Sequence, residues 1–209
     1  MSNDALVMLA VVACLAAVAA AVAGVVAMRR ARRATAGMSA RHGGADPFRG
    51  ADEDVLRGDP RVLKPGDIAE VRGRTYAVRG SLHLTEGSSS WDEHLLDDAG
   101  GRKVWLSVEE DPDLEIVLWT AVPAAAVRPG PPVVDFDGRR YTSEESGRAS
   151  FAGVGTTGLE PAGTVRYHDY AAPGGALLSF ESYGDSDRWE VARGELLHRS
   201  ELRIYPQAG

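Results

Sequence analysis

Ala5 to Met28 is an unbroken run of twenty-four uncharged residues, and Arg29, Arg30, Arg32 and Arg33 follow it at once. At about 1.5 Å per residue, a helix of this length reaches roughly 36 Å, against a hydrocarbon core of about 30 Å. In lipid each backbone amide must find its partner within the segment, so the run is expected to be a transmembrane helix. The four arginines orient it. They favour the anionic inner leaflet and resist translocation, so the plasma membrane is expected to be crossed once, with the C-terminal part cytoplasmic. A cleaved signal peptide fits less well. Met1–Asp4 has no Lys or Arg, the apolar run exceeds an ordinary signal core, and the positive charge comes after it. The single cysteine, Cys14, lies inside the run, so no disulfide is expected within the fold.

The remainder divides by composition. After the anchor and its basic flank (1–33), residues 34–63 are rich in Gly, Ala and Ser and read as a flexible tether, with at most a short helical turn through Ala51–Arg57. Six of the 23 basic and two of the 30 acidic residues precede residue 51. Residues 51–209 therefore carry 17 basic and 28 acidic side chains, a net charge of −11. A domain this acidic is repelled by nucleic acid and by anionic lipid, which excludes DNA or RNA binding as the main role.

From Lys64 onward the apolar residues alternate with period two, broken every six to twelve residues by Gly, Pro or Asp. Arg72-Gly73-Arg74 reads as a tight hairpin between Ile68–Val71 and Thr75–Val78. Trp91, Glu93 and Leu95 share one strand face and Asp92, His94 and Leu96 the other. Val104, Leu106 and Val108 stand back to back with Trp105, Ser107 and Glu109. The pattern predicts an all-β fold. It also echoes itself. Val71–Tyr76 resembles Phe136–Tyr141, Gly100–Glu109 resembles Gly174–Glu181, and Pro112–Ile116 resembles Asp187–Val191. Ordered echoes of this kind predict two tandem β-meander units, 64–128 and 129–209, each closing as an SH3-like barrel, or one sandwich built from both.

Pro65-Gly66-Asp67, Gly73 with Tyr76 and Val78, Gly80, Trp91-x-Glu93-x-Leu95-Leu96 and Trp105-Leu106-Ser107-x-Glu109 together resemble a bacterial family of β-rich domains of unknown function, often membrane-anchored in actinobacteria. The resemblance spans roughly residues 63–205. It implies a β-rich domain behind an anchor. Members are often encoded beside other small membrane proteins and an aminopropyltransferase-like enzyme, which implies an envelope or membrane-stress setting. It brings no activity, cofactor or catalytic residue.

The residues offer little for catalysis. No Gly-x-Ser-x-Gly elbow occurs. Gly153-x-Gly155-x-x-Gly158 has phosphate-loop spacing, but strand pattern rather than a helix follows it, so it reads as a flexible loop. No two of the five histidines have the spacing of metal ligands, and no metal or cofactor is expected. The residues singled out for binding are Trp91, Glu93, His94, Trp105, Glu109, His168 and Glu181. His94 and His168 fall at corresponding places in the two halves, each beside a carboxylate. Glu109 and Glu181 likewise correspond, and Trp105 stands opposite an apolar face, where it could meet a peptide. The expected function is a non-catalytic scaffold that is held at the membrane by Ala5–Met28 and recruits a protein partner. The alternative is a cytoplasmic sensor of a small cationic metabolite such as a polyamine, favoured by the charge of −11.

Overall fold

The computed structural model describes residues 54–123 and 126–207. The span Ala5–Met28, its arginines, Cys14 and most of the tether lie outside them. No helix among the described residues is long and apolar enough to cross a membrane. A single helical turn occupies 54–57, within the stretch where one was expected.

Eleven strands follow: β1 (Ile68–Val71), β2 (Arg74–Glu86), β3 (Ser89–Asp97), β4 (Lys103–Glu110), β5 (Leu114–Ala121), β6 (Val133–Phe136), β7 (Arg139–Gly155), β8 (Ala162–Ala172), β9 (Ala176–Tyr183), β10 (Glu190–Leu196) and β11 (Leu202–Tyr205). All neighbours pair antiparallel. The β1–β2 and β6–β7 turns are made by Arg72-Gly73 and Asp137-Gly138, with φ of 50° and 78°, and 51° and 72°. Positive φ at both central residues matches the right-handed twist of the flanking strands, which is why a glycine sits second in each.

The two halves do not close as separate barrels. β2, β3, β4, β5, β10, β9, β8 and β7 form one closed eight-stranded barrel, to which β1, β6 and β11 are added. The physical reason lies in the two long strands. β2 and β7 each contain a bulge, between Val78 and Gly80 and between Ser143 and Glu145. Before the bulge each strand pairs with a short partner, β1 or β6, and curls over the outside of the barrel. After it, β2 and β7 pair with each other and close the ring. In β2 the extra residue reverses the alternation. Tyr76 and Val78 face outward and Leu82 and Leu84 face inward.

Three apolar clusters result. One lies outside β3–β5, under β1 and β11, and includes Ala69, Tyr76, Leu96, Leu106 and Leu202. A second lies outside β8–β10, under β6, and includes Tyr141, Tyr170, Leu178 and Phe180. The third fills one end of the barrel with Leu82, Leu84, Phe151, Val165 and Tyr167. Each fully buried Leu or Phe among them contributes about 1.5–3 kcal/mol. The C-terminal β11 pairs with β1, so the end of the chain completes the first cluster.

Inside the barrel, bulky side chains lie over glycines of neighbouring strands. Phe151 covers Gly163 and the Trp119 ring covers Gly194. A Cβ at Gly194 would sit 2.5 Å from Trp119 Cζ3. Gly194→Ala is therefore expected to turn the indole, break its hydrogen bond to Ser107 and cost about 1–3 kcal/mol. A urea midpoint unchanged from the parent chain would show that the ring is not held there.

Candidate functional site

Strand alternation decides which side chains enter the barrel. On β3, Trp91, Glu93 and Leu95 point inward and Asp92, His94 and Leu96 outward. The registers carry the inner face round the ring. Glu93 lies opposite Leu82 and Ser107, Ser107 opposite Val117, and Trp105 opposite Trp119. On the far side Glu181 lies opposite Tyr167 and Glu190, and Asp169 opposite Ser179 and Glu145.

β3 and β9 are four strands apart in either direction around the ring, so Glu93 and Glu181 enter the lumen from opposite walls. Trp91 Nε1 donates to Glu93 Oε1 at 3.0 Å, and the Tyr183 hydroxyl donates to Glu181 Oε2 at 2.9 Å. Burial pushes the Glu93 carboxyl up to about 7, although the Trp91 bond opposes this; the charge of Asp169 adds to the rise. Burial, then the charge of Glu93, raises Glu181 well above the ordinary carboxylate range. Burial likewise raises the Tyr183 phenol, followed by the charges of Glu181 and Glu93. Like charges facing each other in a poorly solvated space cannot all ionise at neutral pH.

Aromatic rings frame these carboxylates. Trp91 meets Tyr167 edge-on at 5.8 Å, and Phe151 meets Tyr183 at 5.7 Å. Trp119 Nε1 donates to Ser107 Oγ at 2.9 Å. Tyr167 donates its hydroxyl to Glu86. Trp105, Ser107, Trp119, Asp169 and Glu181 all lie on the inner face and keep partial exposure. Among the described residues, the register places one base on the inner face, Lys103, at the exposed start of β4. Carboxylates and aromatic faces without a competing base suit an organic cation. Among the described residues, no group of three or more His, Cys, Asp or Glu side chains is arranged to hold a metal ion.

The structure gathers five of the seven singled-out residues on one surface. Trp91, Glu93, Trp105, Glu109 and Glu181 all face inward. Trp105, expected on a face where it could meet a peptide, is a lumen residue. Glu181 interacts electrostatically with Glu93 rather than with the corresponding Glu109, which lies opposite Trp91 and Glu115. The two histidines are not brought together. His94 is 2% exposed on the outer face of β3; its Nδ1 lies 2.7 Å from Ser81 Oγ, its Nε2 has no partner among the described residues, and burial pushes it down to about 4. His168 is on the outer face of β8, edge-on to Trp189 at 5.4 Å, and is lowered by burial and then by Arg166. Odd and even neighbours in a strand look to opposite sides, which separates each histidine from the carboxylate beside it in sequence.

Gly153-x-Gly155-x-x-Gly158 is not a flexible loop at its start. Gly153 and Gly155 belong to β7 and pair with Leu82 and Gly80, at the seam where the barrel closes. Asp169, noted in the sequence as the carboxylate beside His168, also reaches the inner face, as do Ser179, Tyr183 and Trp119, which do not stand out there as binding candidates. The signal is nonetheless present in β8 and β9, where Tyr167-x-Asp169 and Ser179-x-Glu181-x-Tyr183 put polar groups on the face opposite the apolar Tyr170 and Phe180.

Residues 64–199 match a protein family described as a domain of unknown function, DUF4178. The chain is also similar to uncharacterized proteins of Mycobacterium tuberculosis (Rv2597) and Mycobacterium bovis (Mb2628). Each is 40% identical over 153 residues, covering 70% of this chain and 73% of the relative. No solved structure matches the chain.

Proposed function

The chain belongs to the DUF4178 family, and on that premise we propose that its barrel is a non-catalytic receptor for a small organic cation, a di- or polyamine being the best fit. The observation that carries this is the approach of Glu93 and Glu181 from opposite walls of one aromatic-lined lumen, with Asp169 beside them. Folding has enclosed like charges on an inner face where, among the described residues, the one base is Lys103 at the rim. An ammonium group would relieve their repulsion and lie against Trp and Tyr rings. The acidic surface around the barrel would raise the local concentration of such ligands. With Ala5–Met28 read as an anchor, the receptor would hang at the inner face of the membrane and report on a cytoplasmic pool. Similar strand order in the two halves supports duplication of a smaller unit, with the lumen formed between the copies. The free edges of β6 and β11 favour a second reading, recruitment of a protein partner by strand addition, although each edge is only four residues long.

Putrescine and spermidine at 0.15 M salt are expected to raise the melting temperature saturably. At a hundredfold excess over Kd the stabilisation should be about 2.7 kcal/mol. Replacing both Glu93 and Glu181 by Gln should abolish the shift, while Asp113→Asn, on an exposed turn, should preserve it. Equal loss with Asp113→Asn would assign the effect to general surface charge. No shift with either amine would remove the receptor reading.

A further inference from the structure

We propose that the outer edge of β6 receives an extended segment of a partner protein, antiparallel to it, with apolar residues at alternate positions and a Lys or Arg between them. This rests on the strand-addition reading above and is independent of the amine receptor. The template is the other half of the same barrel. β1 and β6 are each four residues long, each runs through a positive-φ hairpin into a long bulged strand, and each lies over an outer apolar cluster. β1 has a strand on both sides, β2 and β11, whereas β6 has only β7. Counting back from the hairpins sets Ile68, Ala69, Glu70 and Val71 against Val133, Val134, Asp135 and Phe136. Arg72 N–H donates to the Glu201 carbonyl at 2.9 Å, so Ile68 and Glu70 turn their backbone groups toward β11. Ser143 N–H donates to the Pro132 carbonyl at 2.9 Å, which fixes the same phase in β6. Val134 and Phe136 bond to β7, and Val133 and Asp135 present their N–H and C=O outward. No described residue makes a hydrogen bond to those four groups.

β11 shows what β6 lacks. Leu202 lies opposite Val71 and Ile204 opposite Ala69, and all four are buried. Phe136, in the place of Val71, stays partly exposed, and Val133 is 41% exposed. Between its two apolar residues β11 carries Arg203, opposite Glu70. The corresponding carboxylate on β6 is Asp135, whose side chain is 68% exposed and meets Arg140 Nε at 3.1 Å on the β7 side alone. A guest matching β11 sets apolar side chains opposite Val134 and Phe136 and a cation opposite Asp135. The shortness of the edge, Pro131-Pro132 before it and the exposed carboxylate guard it against indiscriminate pairing. At the β11 edge, Leu202 already bonds Arg199 through both its N–H and its carbonyl, so β6 is the better acceptor of a strand.

The test is amide hydrogen exchange, read residue by residue by NMR on the isotope-labelled full-length chain in detergent micelles. The probe is a synthetic peptide with the sequence of residues 200–206, Ser-Glu-Leu-Arg-Ile-Tyr-Pro. It is expected to slow exchange of the Val133 and Asp135 amides saturably. D135R should weaken the peptide about two- to fivefold, the worth of an exposed charge pair, and a peptide carrying R203E should recover that loss on D135R. If D135R fails to fold, the parent chain decides, since it should bind the original peptide more tightly than the R203E peptide. No slowing at Val133 or Asp135 would overturn this proposal and strand addition at β6 together. Equal slowing by both peptides on the parent chain would overturn the basic residue and leave strand addition standing. Slowing that grows with protein concentration in the absence of peptide would assign the edge to a second copy of the chain and overturn the partner.

Discussion

Gly155→Val is expected to cost about 4 kcal/mol or more, a large part of the 5–15 kcal/mol that stabilises an ordinary domain. Gly155 has φ of +75°, which a β-branched residue adopts only with strain. A Cβ there would also lie 2.6 Å from the Arg79 carbonyl oxygen and 3.0 Å from Gly80 Cα, both backbone atoms that cannot swing aside. Gly80 is no freer, since its own Cβ would lie 2.7 Å from the Thr156 carbonyl. The two glycines are cross-strand partners at the β2–β7 seam, so the damage falls where the ring closes. Gly158→Ala provides the contrast. Gly158 has φ of +86°, but a methyl group there would find nothing within 4 Å, so only the backbone strain of about 1–2 kcal/mol applies. Urea denaturation of both variants separates the contributions. Equal midpoints for the two would show that crowding at the seam is unimportant.

Glu93→Gln is expected to stabilise the protein at pH 8. The Glu93 carboxyl rises from its ordinary value near 4.5 to about 7 on folding. The folded state therefore holds this proton more tightly than the unfolded one. Stability is greatest below the unfolded value, falls as pH climbs toward 7, and stays reduced above it. The shift corresponds to a few kcal/mol, on the order of 3. His94 works in the opposite sense at lower pH. Its folded value near 4 lies below the ordinary 6.5, so protonation destabilises the fold as pH drops through that interval. Above about pH 6.5 the histidine no longer contributes, and the last of the glutamate loss, centred on 7, should appear there as a fall in the parent chain's thermal stability with rising pH. Gln keeps the oxygen that accepts from Trp91 and removes the charge. Its melting curve should depend less on pH and lie several degrees higher at pH 8, at about 2–4 °C per kcal/mol. A lower melting temperature for Glu93→Gln at pH 8 would sink the account of the lumen as a region held under electrostatic stress. A variant that is more stable but no longer binds would show stability given up for function.

Most of the strands are legible in the sequence because their signal is local. Alternation in Trp91–Leu96 and Val104–Glu109 assigns two faces from the residues alone, and Arg72-Gly73 and Asp137-Gly138 mark their hairpins by the φ values they need. Five of the binding candidates share the inner face for the same reason, since each stands in a strand alternation that the fold preserves. The histidines group wrongly in the sequence because adjacency along the chain is not adjacency in space, and a pleated strand turns His94 away from Glu93. The seam is hidden because Gly153 and Gly155 look like loop residues until β2 is known to press against them.

Composition and period two, by themselves, determined that residues beyond Lys64 form an acidic all-β domain, with two faces assigned over Trp91–Leu96 and Val104–Glu109. Only the tertiary structure decided that two bulged strands would pair with each other and close one ring from both halves. Pairing between β2 and β7 joins residues some seventy positions apart, and no local propensity encodes it. The same closure turned Glu93 and Glu181 from two ordinary strand carboxylates into an opposed pair facing one lumen, because surroundings, not residue type, set the cost of their charge.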